Sequence, residues 1–559
     1  MGGPMLRFAR LERPMSTLVA GRAALTAWRA AQPADLFADD AAFAALIEHH
    51  GLQSWSARWG ETGRMVATAL DPLVCENNLH RNLPVLDDYD AVGNFTARVS
   101  HHPTHAAAGR LMYGTGLLTA YGLDPAPHRF ILGTFYLTAQ AGEAGHNCPF
   151  ACDAGAIRAL QTLGTPDQRA RFLDRLLDPD FDTNFTASQF LTEVQGGSDV
   201  GANGTVAEPV DGGRGAGSRW RIVGEKWFCS NVDADVFLMT ARVGPPETGS
   251  AGLGLFLVPR RRADGRINAI GIRRLKDKLG TRSMASGEID FLGAEAEALG
   301  PVDRGMKNVL EIVINTSRLY NAMGCAGHAR RAWVVASTYA QHRRAFGAPI
   351  GHFAAVQETL AWMRADAAAS LAGSLALAAL FEEQDAGTLS AEAAAFLRVA
   401  LNLNKLRTAV LAHEAVSRGI EILGGNGAIE SFSVLPRLLR DNIVYENWEG
   451  THNVLRAQIL RDCARLAVHP GFFAHLRRRI DDPALEADAA ALDALLAAGG
   501  GLAELRFRRL ADRLATWVHL WAMAPVAALA DEAALTRRHL GEDPLDAEHL
   551  ARISRLMRR

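Results

Sequence analysis

The sequence predicts a mainly helical α+β fold, and three changes of pattern along the chain support this prediction. Apolar residues recur at three- and four-residue spacing through residues 1–185, which is typical of helices. Short apolar runs between glycine-rich turns occupy residues 186–300 and are typical of strands. Long helical patterns return over 301–466 and again over 467–559. We therefore predict an N-terminal helical domain, a compact middle β domain, a four-helix bundle and an additional C-terminal helical domain.

Individual elements can be placed within these domains. In the first domain, the helical spacing is clearest over residues 41–50, 106–121 and 166–177. In the β domain, the strand-like runs are residues 220–223, 236–240, 253–258 and 288–291. In the bundle, the long helical patterns cover residues 305–340, 354–382, 391–418 and 454–466. The glycines between these runs predict the connecting turns.

The composition is typical of a globular chain that is large enough to bury a cofactor. Its 559 residues are 48% hydrophobic and 21% charged. The formal net charge of -2 gives the chain as a whole no pull toward nucleic acid or an anionic membrane. The longest uncharged apolar run, residues 514–530, is short for a membrane span and contains His519 and Pro525. We therefore predict a buried helix there and no transmembrane segment.

The cysteines indicate a reducing compartment. The six cysteines are scattered in apolar sequence without a repeated CxxC pair, which is typical of buried, reduced thiols in cytoplasmic proteins. His146, Cys148 and Cys152 lie close together in sequence, but this set lacks a fourth ligand and a second cysteine pair. We therefore predict a cytoplasmic protein without a metal site.

Two segments of the β domain carry polar groups that suit a planar or phosphorylated ligand. Thr192 and Ser198 flank a pair of glycines, so backbone N–H groups and hydroxyls can hold a phosphate or a polar ring edge. Trp227 and Ser230 form the second segment, in which an indole can lie against a planar cofactor while a hydroxyl bonds its edge. The alternatives are an ordinary glycine-rich turn and a core tryptophan.

Two further segments combine arginines with glycine-rich turns. Residues 343–347 begin with a pair of arginines, and Gln357 lies downstream of them. Residues 421–427 contain several glycines whose backbone amides are accessible to a ligand. Arginine and glycine amides together can bind a pyrophosphate. The alternatives are a solvated helix end for the arginines and a helix C-cap for the glycines.

The fifth segment places one carboxylate just before a helix. Arg440 and Asp441 precede residues 447–451, and an amphipathic helical pattern follows them. Thr451 is a natural N-cap for that helix, which leaves Glu449 on the loop, where its carboxylate can project into a cleft. The alternative is an acidic residue that is favoured only by the helix dipole.

In their order and spacing, the five segments resemble the acyl-CoA dehydrogenases, and the resemblance covers about residues 60–466. Residues 102–105, 143–149 and 274–283, together with the helical tail, are similar to the AidB-like branch of this superfamily, which is associated with the bacterial response to alkylation damage. The resemblance implies an acyl-CoA dehydrogenase-like fold around FAD, in which the middle domain is built like a β-barrel. It also implies a homotetramer that is built as a dimer of dimers.

The resemblance implies roles for individual residues. The flavin-contacting positions of the β domain correspond to Thr192, Ser198, Trp227 and Ser230. The positions that reach the FAD of a neighbouring subunit correspond to Arg343, Phe346, Gln357, Gly424, Gly425 and Asn426. The contacts just beyond the catalytic base correspond to Thr451 and Asn453. The residues that depart from those of many relatives at individual FAD contacts are Glu421 and Ala345.

The reaction that the resemblance implies is the α,β-dehydrogenation of an acyl thioester such as an acyl-CoA. A carboxylate removes the α proton while hydride leaves the β carbon for flavin N5, and Glu449 matches this base. Some relatives carry the base on an earlier helix, but Ser317 occupies that position here and cannot act as the base. Arg318 matches an arginine near the substrate, and its alternative role is a helix-packing ion pair.

A second hypothesis is a DNA-binding or protective flavoprotein of the alkylation response with little dehydrogenase activity, because the AidB-like branch is linked to DNA binding through its helical tail. The tail arginines that can meet phosphates are Arg477, Arg478, Arg479, Arg506, Arg508, Arg509, Arg552, Arg555, Arg558 and Arg559. Residues 467–559 contain 13 arginines and 13 acidic residues, so the tail is neutral in sum. The sequence therefore does not favour DNA as a partner.

Overall fold

The computed structural model describes residues 17–541 and 545–558. Residues 1–16 of the predicted first domain and Arg559 of the predicted tail lie outside the described residues. The described chain is mainly helical with a β-rich middle domain, which confirms the predicted fold class.

The N-terminal domain is helical, as predicted, but it also contains a small sheet. Its helices are α1 (Thr17–Ala30), α2 (Ala41–His50), α3 (Ser56–Met65), α4 (Asp71–Asn77), α5 (Pro103–Tyr113), α6 (His128–Ala139), α7 (Asn147–Leu163), α8 (Pro166–Gln168) and α9 (Asp174–Leu176). The π-helical turns Val66–Leu70 and Arg169–Leu173 join α3 to α4 and α8 to α9. The sequence pattern does not predict the antiparallel strands β1 (Val85–Tyr89) and β2 (Phe95–Ser100), because no residue of β1 is fully buried.

The middle domain closes into a β-barrel. Its strands are β3 (Ala187–Phe190), β4 (Val206–Pro209), β5 (Arg219–Ser230), β6 (Val236–Arg242), β7 (Leu253–Pro259), β8 (Ile270–Leu275) and β9 (Ser286–Ala298). Pairing runs from β4 to β5, β9, β7 and β6 and returns to β4, so these strands form a ring. The four predicted strands lie in β5, β6, β7 and β9. Along β5, Trp220 and Ile222 are buried while Arg221 and Val223 are exposed, so one face of this strand packs into the barrel.

The helical bundle domain, which contains the four predicted helices and two others, follows the barrel. Its helices are α10 (Gly305–Asn308), α11 (Asn315–His342), α12 (Ala354–Asp385), α13 (Ala391–Leu423), α14 (Leu435–Asn447) and α15 (His452–Leu466), with the hairpin strands β10 (Arg344–Ala345) and β11 (Ala348–Pro349) after α11. The π-helical turn Val309–Ile314 joins α10 to α11. The sequence pattern predicts α11, α12, α13 and α15 but not α14, because buried polar residues such as Arg437 and Asp441 interrupt its apolar spacing.

One helix of the described residues, α12, is long and apolar enough to cross a membrane by length and composition. Of its most apolar stretch, 89% is buried inside the protein.

The C-terminal helices pack against the bundle through buried charges. They are α16 (His469–Arg477), α17 (Pro483–Ala498), α18 (Gly500–Met523), α19 (Ala530–Thr536) and α20 (Ala547–Leu556). Asp366 of α12 accepts hydrogen bonds from Arg538 and His539, both at 2.8 Å. Burial raises the pKa of Asp366, but the charges of Arg538, His539 and Arg418 outweigh it and hold this pKa well below its usual range. An ionised carboxylate therefore fastens these helices to the bundle.

Candidate active site

Glu449 lies on the loop between α14 and α15 in a strained backbone conformation. The φ of Glu449 is +57°, and that of Gly450 is +105°. Glu449 is therefore a residue other than glycine whose backbone lies in the left-handed region. The carboxyl group is partly accessible but densely surrounded by protein. Burial raises the pKa of Glu449 to about 7, and the cations Arg318 and Lys405 act in the opposite direction. The loop thus presents a carboxylate whose pKa suits a general base at neutral pH.

Arg318 of α11 contacts the backbone of the Glu449 loop. Its Nε donates to the Glu449 carbonyl at 3.1 Å, and its terminal nitrogens donate to Asn402 Oδ1 at 2.7 Å and Gln458 Oε1 at 3.0 Å. These acceptors are neutral, so the geometry favours a brace for the loop over the helix-packing ion pair. Burial lowers the pKa of Arg318 to about 10, which still leaves it charged at neutral pH. The neighbouring Ser317 hydroxyl donates to Gln189 Oε1 at 3.3 Å.

Lys405 of α13 lies beside this loop, although it belongs to none of the five sequence segments. Its ammonium donates to the carbonyls of Glu446 and Gly450, each at 3.0 Å. Burial lowers the pKa of Lys405 to about 8. One signal in the sequence could have drawn attention to it, since the chain contains five lysines among 59 basic residues.

An apolar cluster joins the Glu449 loop to the end of strand β5. Trp448 packs against the buried residues Cys148, Cys152 and Met284. The Met284 sulfur in turn accepts a hydrogen bond from the backbone N–H of Asn231 at 3.2 Å. Because Asn231 follows Ser230, this cluster brings the predicted flavin contact at the end of β5 and the predicted base into one region.

Helix α7 forms another wall of this region. The pKa of the Cys152 thiol lies well above its usual value because of a hydrogen bond with Cys148 and because of burial, and the Glu449 carboxylate adds to this shift. Cys152 of α7 therefore lies close enough to Glu449 to experience its charge. His146 precedes the two cysteines, and its Nε2 is 2.8 Å from the His105 carbonyl.

Trp227 lies on an irregular part of strand β5. The pairing of β5 with β9 shifts register between Lys226 and Cys229, and such a β-bulge re-aims the side chains within it. The Trp227 indole is half-buried, and the Lys276 ammonium lies 3.8 Å from its ring centroid. The backbone N–H of Trp227 donates to the Thr192 carbonyl at 2.9 Å, so the two predicted flavin-binding segments are direct neighbours.

The glycine-rich loop after Thr192 rests on a buried ion pair. Glu193 and Lys226 are 3% and 1% exposed, and the Lys226 ammonium lies 2.7 Å from Glu193 Oε1. A side chain at Gly197 would place its Cβ 2.5 Å from Thr192 Oγ1, so the loop requires glycine at this position. Ser198 beyond it is exposed. The buried ion pair thus holds the inner side of the loop, while the outer side with Ser198 stays accessible to a ligand.

The remaining predicted FAD contacts gather at one end of the bundle. Asn426 Nδ2 donates to the Tyr339 hydroxyl at 3.1 Å, and Tyr339 lies in the last turn of α11, before Arg343. Gln357 Nε2 donates to the Gly351 carbonyl at 2.9 Å. The glycines of the turn that carries Asn426, Gly424 and Gly425, are both exposed. The Asn426 bond thus places the glycine turn beside the end of α11, which leads into the hairpin of β10 and β11.

Phe346 lies at the tip of this hairpin and points away from the rest of the described chain. It is 97% exposed, and its φ of +51° puts a bulky residue in the left-handed region. Gly347 follows with a φ of +86°. Exposure and strain at an aromatic side chain together indicate a surface that is built to contact another molecule.

Thr451 and Asn453 lie at the start of α15, directly after the Glu449 loop. Thr451 occupies the predicted N-cap position, but its side chain makes no capping hydrogen bond within the described chain. Asn453 Oδ1 accepts a hydrogen bond from Arg456 at 3.3 Å. Both residues are exposed, so the first turn of α15 offers polar groups next to Glu449.

Several tail arginines are engaged in ion pairs. Arg477 pairs with Glu486 at 2.7 Å, and Arg478 pairs with Glu392 at 2.7 Å. The other paired arginines are Arg552, which contacts Glu548 at 2.9 Å, and Arg555, which contacts Asp531 at 2.6 Å. Acidic residues thus lie among the tail arginines.

The fold is that of the acyl-CoA dehydrogenase class, and family comparisons agree. Residues 28–183 match the Adaptive response protein AidB N-terminal domain. Residues 188–293 match the acyl-CoA dehydrogenase middle domain, and residues 303–464 match the acyl-CoA dehydrogenase C-terminal domain. The chain belongs to the acyl-CoA dehydrogenase family and carries an AidB-type N-terminal domain, as the sequence analysis predicts. It is an acyl-CoA dehydrogenase-like enzyme.

Individual relatives extend over most of the chain. AidB of Escherichia coli (strain K12) is 32% identical over 440 residues, which is 76% of this chain and 77% of the relative. Acyl-CoA dehydrogenase family member 11 of Caenorhabditis elegans is 37% identical over 349 residues, which is 61% of this chain and 55% of the relative.

Two solved structures share the fold over nearly the whole chain. The apo form of Bd2924 is 30% identical with a TM-score of 0.82, and it matches 88% of this chain and 98% of its own. The Caenorhabditis elegans ACDH-11 structure in complex with C11-CoA is 27% identical with a TM-score of 0.79, and it matches 91% of each chain.

Proposed function

We propose that this protein catalyses the FAD-dependent α,β-dehydrogenation of an acyl-CoA, with Glu449 as the base. The observation that carries the proposal is the position of Glu449. The neighbouring Trp448 packs against the cysteines of α7 and against Met284, which accepts a hydrogen bond from Asn231 at the end of β5. A base and a hydride acceptor must flank the reacting carbons, and this arrangement supports such a geometry.

The residues of the β domain fit the isoalloxazine part of FAD. Trp227 supplies a half-buried indole on a bulge, and the backbone N–H of Trp227 donates to the Thr192 carbonyl. Ser198 and Ser230 add hydroxyls that would bond the polar edge of the ring system. When bound, FAD supplies the acceptor for the hydride that leaves the β carbon.

The chain itself supplies the proton acceptor and its surroundings. Glu449 takes the α proton, and the apolar cluster around Trp448 and Met284 keeps water away from the reacting carbons. Arg318 holds the Glu449 carbonyl and so limits the movement of the carboxylate. The acyl-CoA complex of ACDH-11 supports a CoA thioester as the ligand class.

The pH dependence of kcat/KM tests the base directly. Glu449 must be ionised to accept a proton, and its pKa is raised to about 7. We expect kcat/KM to fall as the pH drops through about 7, tenfold per pH unit well below it, because the protonated form of Glu449 is inactive. The measurement is the rate of anaerobic flavin bleaching by an acyl-CoA at low concentration between pH 5.5 and 8.5, taken as a rough working range. If the acidic limb of the profile lay near the ordinary pKa of a glutamate, this result would contradict the role of Glu449 as the base.

We also propose that the protein assembles as a homotetramer in which Phe346 of one subunit reaches the FAD site of another. The exposed, strained Phe346 supports this proposal, because an aromatic side chain gains stability when a partner covers it. Arg343, Gln357, Gly424, Gly425 and Asn426 at the same end of the bundle would bind the pyrophosphate and adenine side of FAD.

The variant Phe346→Asn distinguishes the effect of backbone strain at residue 346 from the effect of its ring on subunit association. Asparagine tolerates the left-handed region, so the isolated chain should keep its stability or gain a few tenths of a kcal/mol. The loss of the ring should weaken subunit association by roughly tenfold or more and lower the FAD content of the purified protein. Light scattering and the flavin-to-protein absorbance ratio measure both effects. Val92→Asn, at another exposed apolar side chain, is the control. Unchanged mass and FAD content would refute the interface role of Phe346.

The ion-paired tail arginines give no observation that favours the DNA-binding alternative. Arg477, Arg478, Arg552 and Arg555 contact carboxylates, whereas a phosphate-binding face needs basic residues that are segregated from acidic ones. We therefore retain dehydrogenation as the proposed function.

A further inference from the structure

Lys405 holds the backbone on both sides of Glu449. Its side chain is fully buried in α13, and its ammonium donates to the carbonyl of Glu446, which precedes Glu449, and to that of Gly450, which follows it. Arg318 donates to the Glu449 carbonyl, which lies between these two carbonyls along the chain. The two cations thus approach the same short loop from different helices.

The charge of Lys405 is not balanced by a direct ion pair. Within residues 17–541 and 545–558, no carboxylate oxygen lies within 4.0 Å of its ammonium, and its hydrogen bonds go to neutral carbonyls. A buried charge without a paired partner costs free energy that hydrogen bonds to carbonyls only partly offset. The retention of an ammonium here, in a chain with five lysines, therefore points to a role at Glu449.

The titratable groups around Lys405 come from several elements. They are Arg318 and Cys325 of α11, Glu446 of α14, Glu449 of the loop and His452 of α15. Glu449 favours the charged form of Lys405, and Lys405 favours the charged form of Glu449. The two groups therefore stabilise each other's ionised state.

We propose that Lys405 is the positioning residue of the catalytic loop, which fixes the backbone on both sides of Glu449 and keeps a positive charge close to its carboxylate. The inference rests on the proposed role of Glu449 as the base. The side chain acts through the loop and through its charge, and it moves no proton of the substrate.

The pH profile of Lys405→Met tests this role. Methionine keeps the length and the apolar stem but removes the charge and both hydrogen bonds, so the acidic limb of kcat/KM should move up by roughly one pH unit. Lys405→Arg keeps the charge and should leave the limb within about half a unit of the wild type. The matched control is Asn404→Leu, because Asn404 is buried one position earlier in α13 and bonds Ser374 at 3.0 Å, away from the loop. A uniform loss of rate in Lys405→Met without a shift of the limb would overturn the proposal.

A second readout does not depend on catalysis. Isotope labelling of lysine side chains gives five resonances in this chain, and the one that Lys405→Arg removes belongs to Lys405. In Glu449→Gln the Lys405 ammonium loses a nearby carboxylate, so its pKa should fall by roughly half a unit or more. An unchanged titration of this resonance would overturn the proposal, even where Lys405→Met does not fold. If no acyl-CoA bleaches the flavin of the wild type but the titration of Lys405 does depend on Glu449, the proposed reaction fails while the positioning role stands.

Discussion

Glu449→Gln is expected to slow the bleaching of the flavin by an acyl-CoA by roughly 10²- to 10⁴-fold, which is the range that a general base contributes. Glutamine has the size of glutamate and keeps the loop backbone, but its amide cannot accept the α proton. Arg318 contacts the backbone carbonyl of residue 449, so its hydrogen bond survives the change. We therefore expect a lower rate constant of bleaching with an acyl-CoA affinity within about tenfold of the wild type. Stopped-flow absorbance under anaerobic conditions measures both quantities.

Glu446→Gln is the matched control for this experiment. Glu446 lies in the same segment, and its carboxylate is 2.7 Å from His413 Nδ1 on α13. It does not match the family base, so its replacement should change the bleaching rate by less than about tenfold. Equal losses in both variants would indicate a general disturbance of the loop and would contradict the assignment of Glu449 as the base.

Lys226→Met is expected to lower the free energy of unfolding by about 3–5 kcal/mol, because it leaves a buried carboxylate without its partner. Burial raises the pKa of Glu193, but Lys226 and backbone hydrogen bonds outweigh it and bring this pKa below its usual value, so the Glu193 carboxylate is ionised at neutral pH. The Glu193 carboxylate also accepts the Gly204 N–H at 2.6 Å, which ties the loop after Thr192 to the barrel. We expect the loop to loosen and the protein to retain less FAD. Urea unfolding and the flavin content are the measurements.

Two further variants test whether the unpaired charge of Glu193 causes this loss of stability. Lys307→Met removes an exposed lysine that lies 3.8 Å from Glu311 and should cost less than about 0.5 kcal/mol. The double variant Glu193→Gln/Lys226→Met removes both charges while glutamine keeps an acceptor for the Gly204 N–H, so most of the loss should be recovered. If the double variant is less stable than Lys226→Met, the unpaired charge is not the cause of the loss.

The fold follows from the sequence wherever apolar spacing reflects burial. The helices α11, α12 and α13 and the strands β5, β6, β7 and β9 have such spacing and are predicted. Helix α14 is not, because Arg437 and Asp441 are buried there through distant contacts such as the Asp441 bond to the Thr281 N–H at 2.7 Å. A window along the chain cannot identify a polar residue that is buried by partners far away in sequence.

The prediction of the candidate site from the sequence has the same limit. The position of Glu449 just before a helix can be predicted, because that pattern is local. Lys405 cannot be connected to it in this way, since its hydrogen-bond acceptors are 41 and 45 residues away along the chain. Glu193 and Lys226 lie inside the predicted flavin segments, yet they form the ion pair beneath the loop and do not point toward a ligand.

The most direct test of the proposed reaction is anaerobic titration of the purified, FAD-containing protein with acyl-CoAs of increasing chain length, with mass spectrometry of the product. The proposal predicts that at least one acyl-CoA bleaches the flavin with equal stoichiometry and yields the 2-enoyl-CoA, which has lost one α and one β hydrogen. Full flavin occupancy without bleaching by any chain length, or bleaching that is equally fast in Glu449→Gln, would contradict the account of Glu449 as the base of an acyl-CoA dehydrogenase.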